Sequence, residues 1–290
     1  MSSAAVPLAL GTRGSPLALA QAQAVADAME GPVDLVTITT SGDRGDGPVQ
    51  DKRRWVDRIE DALLAGEIDL AVHSAKDVPA MPADGLELAG SPARADPHDA
   101  LCGSSSLAAL PRGALIGTSS LRRAAQLLAL RADLRVVALS GNIDTRLRKL
   151  EEGELDAIVL ARAGLARLRR PLGAVLLELV PAAGQGTLAI EARRGDSRVA
   201  AAIAALRDEP TERALLAERT LAQALGADCH TPIGAHATAL DRGGLELRAF
   251  VGRADGSVWV RDRVAGNEPV ALGEALAARL RSVGALEILA

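Results

Sequence analysis

Aromatic side chains are nearly absent from this chain, whose 290 residues include no tyrosine, one phenylalanine and two tryptophans. Proteins that bind single-stranded nucleic acids stack the bases on aromatic rings, so the composition argues against nucleic-acid binding by this route. The net charge of −4 is ordinary for a soluble protein. We therefore expect a small molecule, and not a nucleic acid, as the partner.

Cysteine is also scarce. Cys102 and Cys229 lie far apart, so the chain lacks the disulfide framework of small secreted domains. The N-terminal residues lack the charged start and apolar stretch of a secretory signal, and no apolar run approaches the length of a membrane span. The four histidines and two cysteines show no metal-ligand spacing, so we expect no metal site. These absences predict a cytoplasmic protein without a membrane partner.

The N-terminal third alternates short apolar runs with helical patterns, which predicts a parallel sheet with helices between its strands. A strand at 8–10 leads through a tight turn to Ser15 and Pro16, a good N-cap followed by proline at the first helical position. Gly66 is placed to end a later helix. The segment 42–51 is rich in glycine and aspartate, which predicts a mobile loop.

The same order of elements begins again after Pro92. A strand at 115–116 is followed by the turn 117–120 and by a helix that opens at Leu121. We interpret this echo as a duplicated α/β lobe. Two such lobes facing each other would enclose a cleft, and each would point arginines and helix N-termini into it.

The last third has a different pattern. Residues 184–193 are predicted to cross back to the first lobe, and a helix at 212–225 precedes a hairpin that turns at Gly256 and a closing helix at 272–283. This pattern predicts a small α+β domain. The predicted domains are therefore 1–92 with 187–206, then 93–186, and finally 207–290.

Polar groups are concentrated in the stretch 69–79, DLAVHSAKDVP. A buried strand at 70–72 is followed by His73, Ser74, Lys76 and Asp77. Open α/β sheets bind their ligands beyond the carboxyl ends of the strands, which makes this stretch a candidate active site. The alternative is an ordinary solvated exit from a strand.

The segment 117–123, GTSSLRR, has the features of an anion site, because free backbone N–H groups, hydroxyls and a helix N-terminus converge there. Arginines at several strand exits predict a ligand with many carboxylates, and phosphate is the competing ligand. Arginines on a solvated face are the other interpretation. It suits Arg148, Arg169 and Arg170 best and applies less well to Arg122, Arg123 and Arg146.

Cys229 is next to His230 in the sequence and is predicted to lie in a loop. Such a cysteine can be an inert packing residue, a nucleophile activated by the histidine, or a point of covalent attachment. Cys102 is predicted to be a buried strand residue without a further role.

Five motifs, HSAKDVP, GTSSLRR, GNIDTR, PAAGQG and DCHTPIG, occur in an order that resembles the porphobilinogen deaminase family over nearly the whole chain. The resemblance implies two lobes similar to periplasmic binding proteins around a cleft, plus a small C-terminal α+β domain. It also implies an enzyme, hydroxymethylbilane synthase, that joins porphobilinogen units head to tail with loss of ammonia. The product is hydroxymethylbilane, a linear tetrapyrrole of haem biosynthesis.

The resemblance also implies roles for individual residues. Asp77 would be the catalytic acid and would stabilise the positive charge left on the pyrrole when ammonia departs. A dipyrromethane cofactor would be attached to Cys229 through a thioether, and the acetate and propionate groups of the pyrroles would account for the arginines. The other cofactor-binding positions are Ser74, Lys76, Thr118, Ser120, Arg122, Arg123 and Arg146. The substrate-binding positions are Arg13, Ser15, Arg167 and Gln185.

The sequence departs from the family at two places. Ser140 stands where the family usually has an arginine, and the glycine-rich Lys-Gly-Leu-Phe segment is replaced by QDKRRW at 50–55, with Pro48 near the usual position of a second lysine. We hypothesise that Arg53 or Arg54 supplies the lost charge.

Two other functions stay open at this point. A two-lobed protein that binds a small anion without catalysis would share the cleft but would need neither Asp77 nor Cys229. A diverged paralogue with low activity would fit the change at Ser140. For the active enzyme we expect a monomer.

Overall fold

The computed structural model describes residues 6–46, 51–79, 81–227, 231–241 and 243–289, and of Lys52 it describes the backbone only. Its strands, in chain order, are β1 (Leu8–Thr12), β2 (Val33–Thr37), β3 (Leu70–Ser74), β4 (Leu86–Gly90), β5 (Asp99–Cys102), β6 (Leu115–Gly117), β7 (Arg135–Val137), β8 (Ala157–Ala161), β9 (Ala174–Leu176), β10 (Leu188–Arg193), β11 (Ile233–Ala239), β12 (Leu245–Gly252) and β13 (Trp259–Gly266).

The helices are α1 (Pro16–Ala28), α2 (Ser41–Arg44), α3 (Asp57–Ala65), α4 (Leu121–Leu130), α5 (Ile143–Glu151), α6 (Arg162–Arg167), α7 (Ser197–Ile203), α8 (Glu209–Ala224), α9 (Pro269–Ser282) and α10 (Ala285–Leu289). Short 3-10 helices cover Lys52–Trp55, Ala75–Asp77 and Ala204–Leu206. Within the described ranges, no helix is both long enough and apolar enough to cross a bilayer.

The start of the chain shows how local signals set these boundaries. The Ser15 hydroxyl accepts the N–H of Ala18 at 3.2 Å and Pro16 opens α1, as predicted. Gly66 ends α3 with a φ of 73°, a left-handed conformation that favours glycine. The loop predicted at 42–51 is partly wrong, because Thr40 caps the short helix α2. Residues 47–50, including Pro48, lie outside the described residues.

Contacts divide the chain into two compact units. Unit 1 comprises Met1–Arg94 and Thr187–Glu212, and unit 2 comprises Ala95–Gly186 and Arg213–Ala290. The predicted division into three domains stays a prediction.

Unit 1 contains a five-stranded sheet in the order β2-β1-β3-β10-β4. Strand β1 runs parallel to β2 and β3, whereas β10 runs antiparallel to β3 and β4. Leu70 and Val72 pack with α1 and α7 on one face of β3, and Ala71 packs with Ile59 and Leu63 of α3 on the other. Because residues 70–72 are covered by apolar packing on both faces, the solvent-accessible polar groups of β3 are at its carboxyl end.

Unit 2 contains a second five-stranded sheet with the order β7-β6-β8-β5-β9. Strand β6 runs parallel to β7 and β8, and β5 runs antiparallel to β8 and β9. The plan therefore matches that of the first sheet, strand for strand. In each sheet the fourth strand, β10 or β5, runs antiparallel to its neighbours. Each of these strands lies close in sequence to a point where the chain passes from one unit to the other. The predicted duplication and α/β class are confirmed by this topology.

The rest of unit 2 contains the antiparallel sheet β11-β12-β13 with α8 and α9 packed on it. Leu221 of α8, Leu247 of β12 and Leu276 of α9 are each fully buried in this core. The predicted α+β character is confirmed. Strand β11 was not predicted, because its glycine, alanines and threonine give a weak strand signal.

Glu218 connects this core to the segment before β10. It is fully buried on α8, and its Oε2 accepts the N–H of Gly184 at 2.6 Å while its Oε1 accepts the N–H of Ala237 at 2.8 Å. A carboxylate that accepts two buried backbone N–H groups fixes both segments relative to α8.

We expect Glu218→Ala to lower the free energy of unfolding by about 2–5 kcal/mol, because two buried N–H groups lose their acceptor. Urea denaturation of the full chain measures this change. Glu274→Ala, at an exposed position of α9, is the matched control and should change stability by less than about 0.5 kcal/mol. Equal effects of the two substitutions would contradict the assigned role of Glu218.

Candidate functional site

Asp77 ends the 3-10 helix that directly follows β3, and its side chain is exposed. It lines a cavity of about 70 Å³ together with Arg13, Ser15 and Ser74. Four of the residues predicted from the sequence are therefore brought to one place in unit 1. Lys76, the neighbour of Asp77, is half-buried and is not part of this lining.

The hydroxyls of this cavity are held by local structure. Ser15 caps α1, and Ser74 accepts a hydrogen bond at 2.8 Å from the amide of Gln21, a buried residue that also lines the cavity. The cavity wall is thus built from α1 and the end of β3, which are joined by the hydrogen bond between Gln21 and Ser74. Such a wall presents polar groups in fixed positions.

Arg13 is held by Asp43, which sequence reasoning did not identify. Its Nε donates to Asp43 Oδ1 at 3.1 Å and a terminal nitrogen pairs with the same carboxylate, while the guanidinium carbon lies 4.4 Å from the centre of the Trp55 ring. Although burial alone raises it, hydrogen bonds from Arg13 and Thr40 hold the pKa of Asp43 below its ordinary value. The spacing of Thr40 and Asp43, a capping box, was the available signal.

Arg53 and Arg54, the two candidates for replacing lost charge, have different surroundings. Arg54 is buried and its guanidinium carbon lies 5.1 Å from the centre of the Trp55 ring. Arg53 is exposed, and its backbone N–H donates to Asp51 at 2.8 Å. A Cβ on Gly42 would collide with the ring of Trp55, so that glycine makes room for the stack. The hypothesis of charge replacement stays a prediction.

In unit 2 the GTSS segment forms the turn before α4, as the sequence predicts. Ser120 caps the helix by accepting the N–H of Arg123 at 3.4 Å, and Thr118 Oγ1 accepts the N–H of Ser120 at 3.2 Å. Thr118 is only 4% exposed. Both hydroxyls stabilise the turn, and their predicted contacts with a cofactor stay predictions.

Arg122 and Arg123 share one carboxylate, that of Asp99, and all three are buried. Arg122 donates to Asp99 Oδ2 at 2.8 Å and Arg123 to Oδ1 at 2.9 Å. Burial opposes ionisation, but the charges of the two arginines hold the pKa of Asp99 far below its ordinary value. Asp99 was missed from the sequence, because nothing in the residues around it indicates a partner in α4.

Gln185 donates to the same carboxylate at 2.9 Å and to the carbonyl of Pro97 at 2.7 Å, and it is 1% exposed. Arg122 also donates to the carbonyl of Val180, and Arg123 to that of Val159. The structure gives these three side chains a role in positioning the segment around Asp99. Their predicted contacts with ligand stay predictions.

Arg146 and Arg167 are different, because neither has a carboxylate partner within the described part of unit 2. Each donates to a carbonyl at 2.7 Å, Arg146 to Gly141 and Arg167 to Gly186. Burial, and next the charge of Arg123, lower the pKa of Arg146. Burial lowers the pKa of Arg167 to about 10. A desolvated cation without a counter-charge is stabilised by an anionic ligand.

The arginines predicted to lie on solvated faces do so. Arg148, Arg169 and Arg170 are exposed, and surface carboxylates pair with Arg148 at 2.6 Å and with Arg170 at 2.8 Å. The arginines of unit 2 thus differ in how deeply they are buried and in the groups to which they donate hydrogen bonds.

Two cysteines complete the set. Cys102 is a free, buried thiol on β5, as predicted. Cys229, the predicted attachment point, lies outside the described residues, as do its neighbours Asp228 and His230. Its role stays a prediction.

Comparisons with known proteins give consistent results. The family model "Porphobilinogen deaminase, dipyromethane cofactor binding domain" matches residues 8–201, and "Porphobilinogen deaminase, C-terminal domain" matches 213–282. The porphobilinogen deaminase of Rubrobacter xylanophilus is 49% identical, over 97% of this chain and 96% of the relative. That of a Roseiflexus species is 48% identical over 98% of both chains.

A solved structure, a putative methionine-binding lipoprotein from Bacillus subtilis, is 14% identical with a TM-score of 0.44. The match covers 71% of this chain and 92% of the lipoprotein chain. A TM-score of this size supports no conclusion, and the fold rests on the elements described above.

We expect Asp99→Asn to lower the free energy of unfolding by about 3–5 kcal/mol, because two buried guanidiniums lose their counter-charge. Since the pKa of Asp99 is lowered by folding, its contribution is present above the ordinary aspartate pKa of about 3.9 and is lost as the pH falls further. The difference between wild type and variant should therefore shrink in acid.

Urea denaturation at several pH values measures this difference. Asp144→Asn is the matched control, because Asp144 pairs with the exposed Arg170 and should cost less than about 1 kcal/mol. A difference that is small at neutral pH would contradict the role of Asp99.

Proposed function

Because the chain belongs to the porphobilinogen deaminase family, we propose that Asp77 of unit 1 is its catalytic carboxylate and that arginines of unit 2 bind the acidic groups of its cofactor. The enzyme condenses porphobilinogen units head to tail, with loss of one ammonia for each, into the linear tetrapyrrole hydroxymethylbilane. This is a transferase reaction of tetrapyrrole biosynthesis, and the enzyme uses a dipyrromethane cofactor.

The observation that carries the proposal is a pair of half-buried guanidiniums, those of Arg146 and Arg167, for which the described residues provide no carboxylate partner. Acetate and propionate side chains would supply the missing negative charge, and a guanidinium binds a carboxylate through two parallel hydrogen bonds. The residues thus fit an acidic pyrrole chain. Lys76, Ser74, Thr118, Ser120, Arg122 and Arg123 are proposed to complete cofactor binding, and Arg13, Ser15, Arg167 and Gln185 substrate binding.

When bound, the cofactor supplies the nucleophilic α-carbon from which the chain grows. We propose that Cys229 holds it through a thioether, as an anchor and not as a nucleophile in each turnover. Attachment at one sulfur would make each condensation effectively intramolecular, which removes much of the entropic barrier.

Asp77 is proposed to stabilise the positive charge that develops on the substrate pyrrole. As the C–N bond of the protonated aminomethyl group breaks, ammonia leaves with the electron pair and the positive charge passes to the pyrrole. An exposed carboxylate at the end of a short helix, placed beside this ring, would lower the energy of the cation. Arg13 and Ser15, which line the same cavity, would orient the acidic side chains of the incoming pyrrole.

We also propose three domains, 1–92 with 187–206, 93–186 and 207–290. The separate family matches at 8–201 and 213–282 support a boundary near residue 207. A cytoplasmic location, a monomeric state and the lack of a nucleic-acid partner complete the proposal. The free thiol of Cys102 supports the cytoplasmic location. The scarcity of aromatic residues supports the lack of a nucleic-acid partner.

We expect Asp77→Asn to lower turnover by about 100-fold or more, because the amide cannot balance the developing positive charge. Formation of uroporphyrin from released hydroxymethylbilane measures turnover, and thermal unfolding should show an intact protein. Asp84→Asn, at an exposed aspartate shortly after this segment, is the control and should keep the wild-type rate. A near-normal rate for the Asp77 variant would exclude the proposed role, and a wild type that releases no product would favour an anion-binding protein or an inactive paralogue.

We expect Arg167→Gln to raise the KM for porphobilinogen by about 10- to 100-fold, because a charge-assisted bond to a substrate carboxylate is lost. Steady-state kinetics at fixed ionic strength measures this change. Arg148→Gln removes an exposed arginine that already pairs with Glu152, and its KM should equal that of the wild type. An unchanged KM for the Arg167 variant would place its charge outside substrate binding.

A further inference from the structure

Behind the cavity of unit 1 lies a buried pair of ionisable groups that the proposed function does not use. His73 on β3 and Glu191 on β10 occupy the same face of two antiparallel strands, as diagonal neighbours in the register. His73 Nε2 lies 3.1 Å from Glu191 Oε2, and the side chains are 4% and 0% exposed. The other oxygen, Oε1, is buried without a hydrogen-bond partner in the described ranges. Among the described residues, His73 is therefore the only side chain that forms a hydrogen bond with the Glu191 carboxylate.

A second buried carboxylate belongs to the same cluster. Glu60 of α3 is 4% exposed, and its Oε1 accepts the N–H of Ala83 at 3.3 Å. Burial, and next the charge of Glu191, raise the pKa of Glu60. Glu60 therefore takes up a proton more readily than an ordinary glutamate does. The ionisable groups around His73 are Glu191 on β10, Glu60 on α3 with Arg53 near it, and the cavity residues Arg13 and Asp77, while α1 contributes the uncharged Gln21.

His73 also lines the cavity that Asp77 lines. An ionised carboxylate that accepts a hydrogen bond from Nε2 selects the neutral tautomer with its lone pair on Nδ1. The same carboxylate stabilises the imidazolium that forms when Nδ1 takes up a proton. The arrangement is that of a base with its orienting group.

We propose that Glu191 is a positioning residue of the condensation, which holds His73 as the proton acceptor of the Asp77 cavity. This inference rests on the proposed function. After the new C–C bond has formed, the C–H bond at the attacking α-carbon of the growing chain breaks, its electron pair returns to the pyrrole ring, and the proton goes to Nδ1 of His73. The proton then leaves with the released ammonia as ammonium.

The test is the pH profile of kcat/KM. In Glu191→Gln the imidazolium loses its counter-charge, so His73 becomes a weaker base. The midpoint of the acid limb should move to lower pH by about one unit or more, and the plateau should fall by about 100-fold. Glu191→Asp keeps the charge and should keep a midpoint near that of the wild type. His73→Gln carries no titrating proton and should lose this limb.

Glu218→Gln is the matched control, because Glu218 is equally buried but accepts backbone N–H groups of unit 2. It should lower stability without moving the midpoint. A Glu191→Gln profile with the wild-type midpoint, or a His73→Gln variant that retains the limb, would overturn the inference and leave the pair a structural one. If either result were obtained while the wild type was active and Asp77→Asn was inactive, the proposed function would still stand. An inactive wild type would contradict both the proposed function and the role of Glu191.

Discussion

The cost of burying a guanidinium charge is the constraint on which the arrangement of unit 2 depends. A buried cation is stable only when an anion or a set of acceptors compensates for its lost hydration. Asp99 provides that anion for Arg122 and Arg123 at once. Arg146 and Arg167 have carbonyl acceptors and no carboxylate in the described ranges. Unit 2 therefore provides an internal anion for one pair of arginines, and we propose that a ligand supplies the anion for the other.

Unit 1 has the complementary character. The charge of Arg13 is balanced by Asp43, whereas Asp77 stands exposed beside the same cavity and Glu191 lies behind it. The carboxylate of Asp77 in unit 1 is proposed to stabilise the developing positive charge, and the arginines of unit 2 are proposed to bind acidic side chains. Two units with the same sheet plan would thus contribute charges of opposite sign to the proposed reaction.

Local signals in the sequence predicted much of this arrangement. Pairs between residues that are distant in the sequence were not predicted. Ser15, Gly66 and Ser120 act on backbone within a few residues, so their caps could be predicted from the sequence. The partners of the candidate residues could not be predicted, because Asp99 lies 23 residues from Arg122 and Glu191 lies 118 residues from His73. Such pairs are created by strand order and register, which no local pattern specifies.

The central claim is that an acidic pyrrole chain, attached at one sulfur, supplies the negative charge that unit 2 lacks. The intact mass of the purified full-length protein, measured beside that of Cys229→Ser after both have been incubated with porphobilinogen and desalted, tests this claim most directly. The account predicts that the wild type exceeds its sequence mass by at least two porphobilinogen units, each less one ammonia, and that the variant has its sequence mass alone. A wild type without added mass, or a variant that carries the same addition, would contradict it.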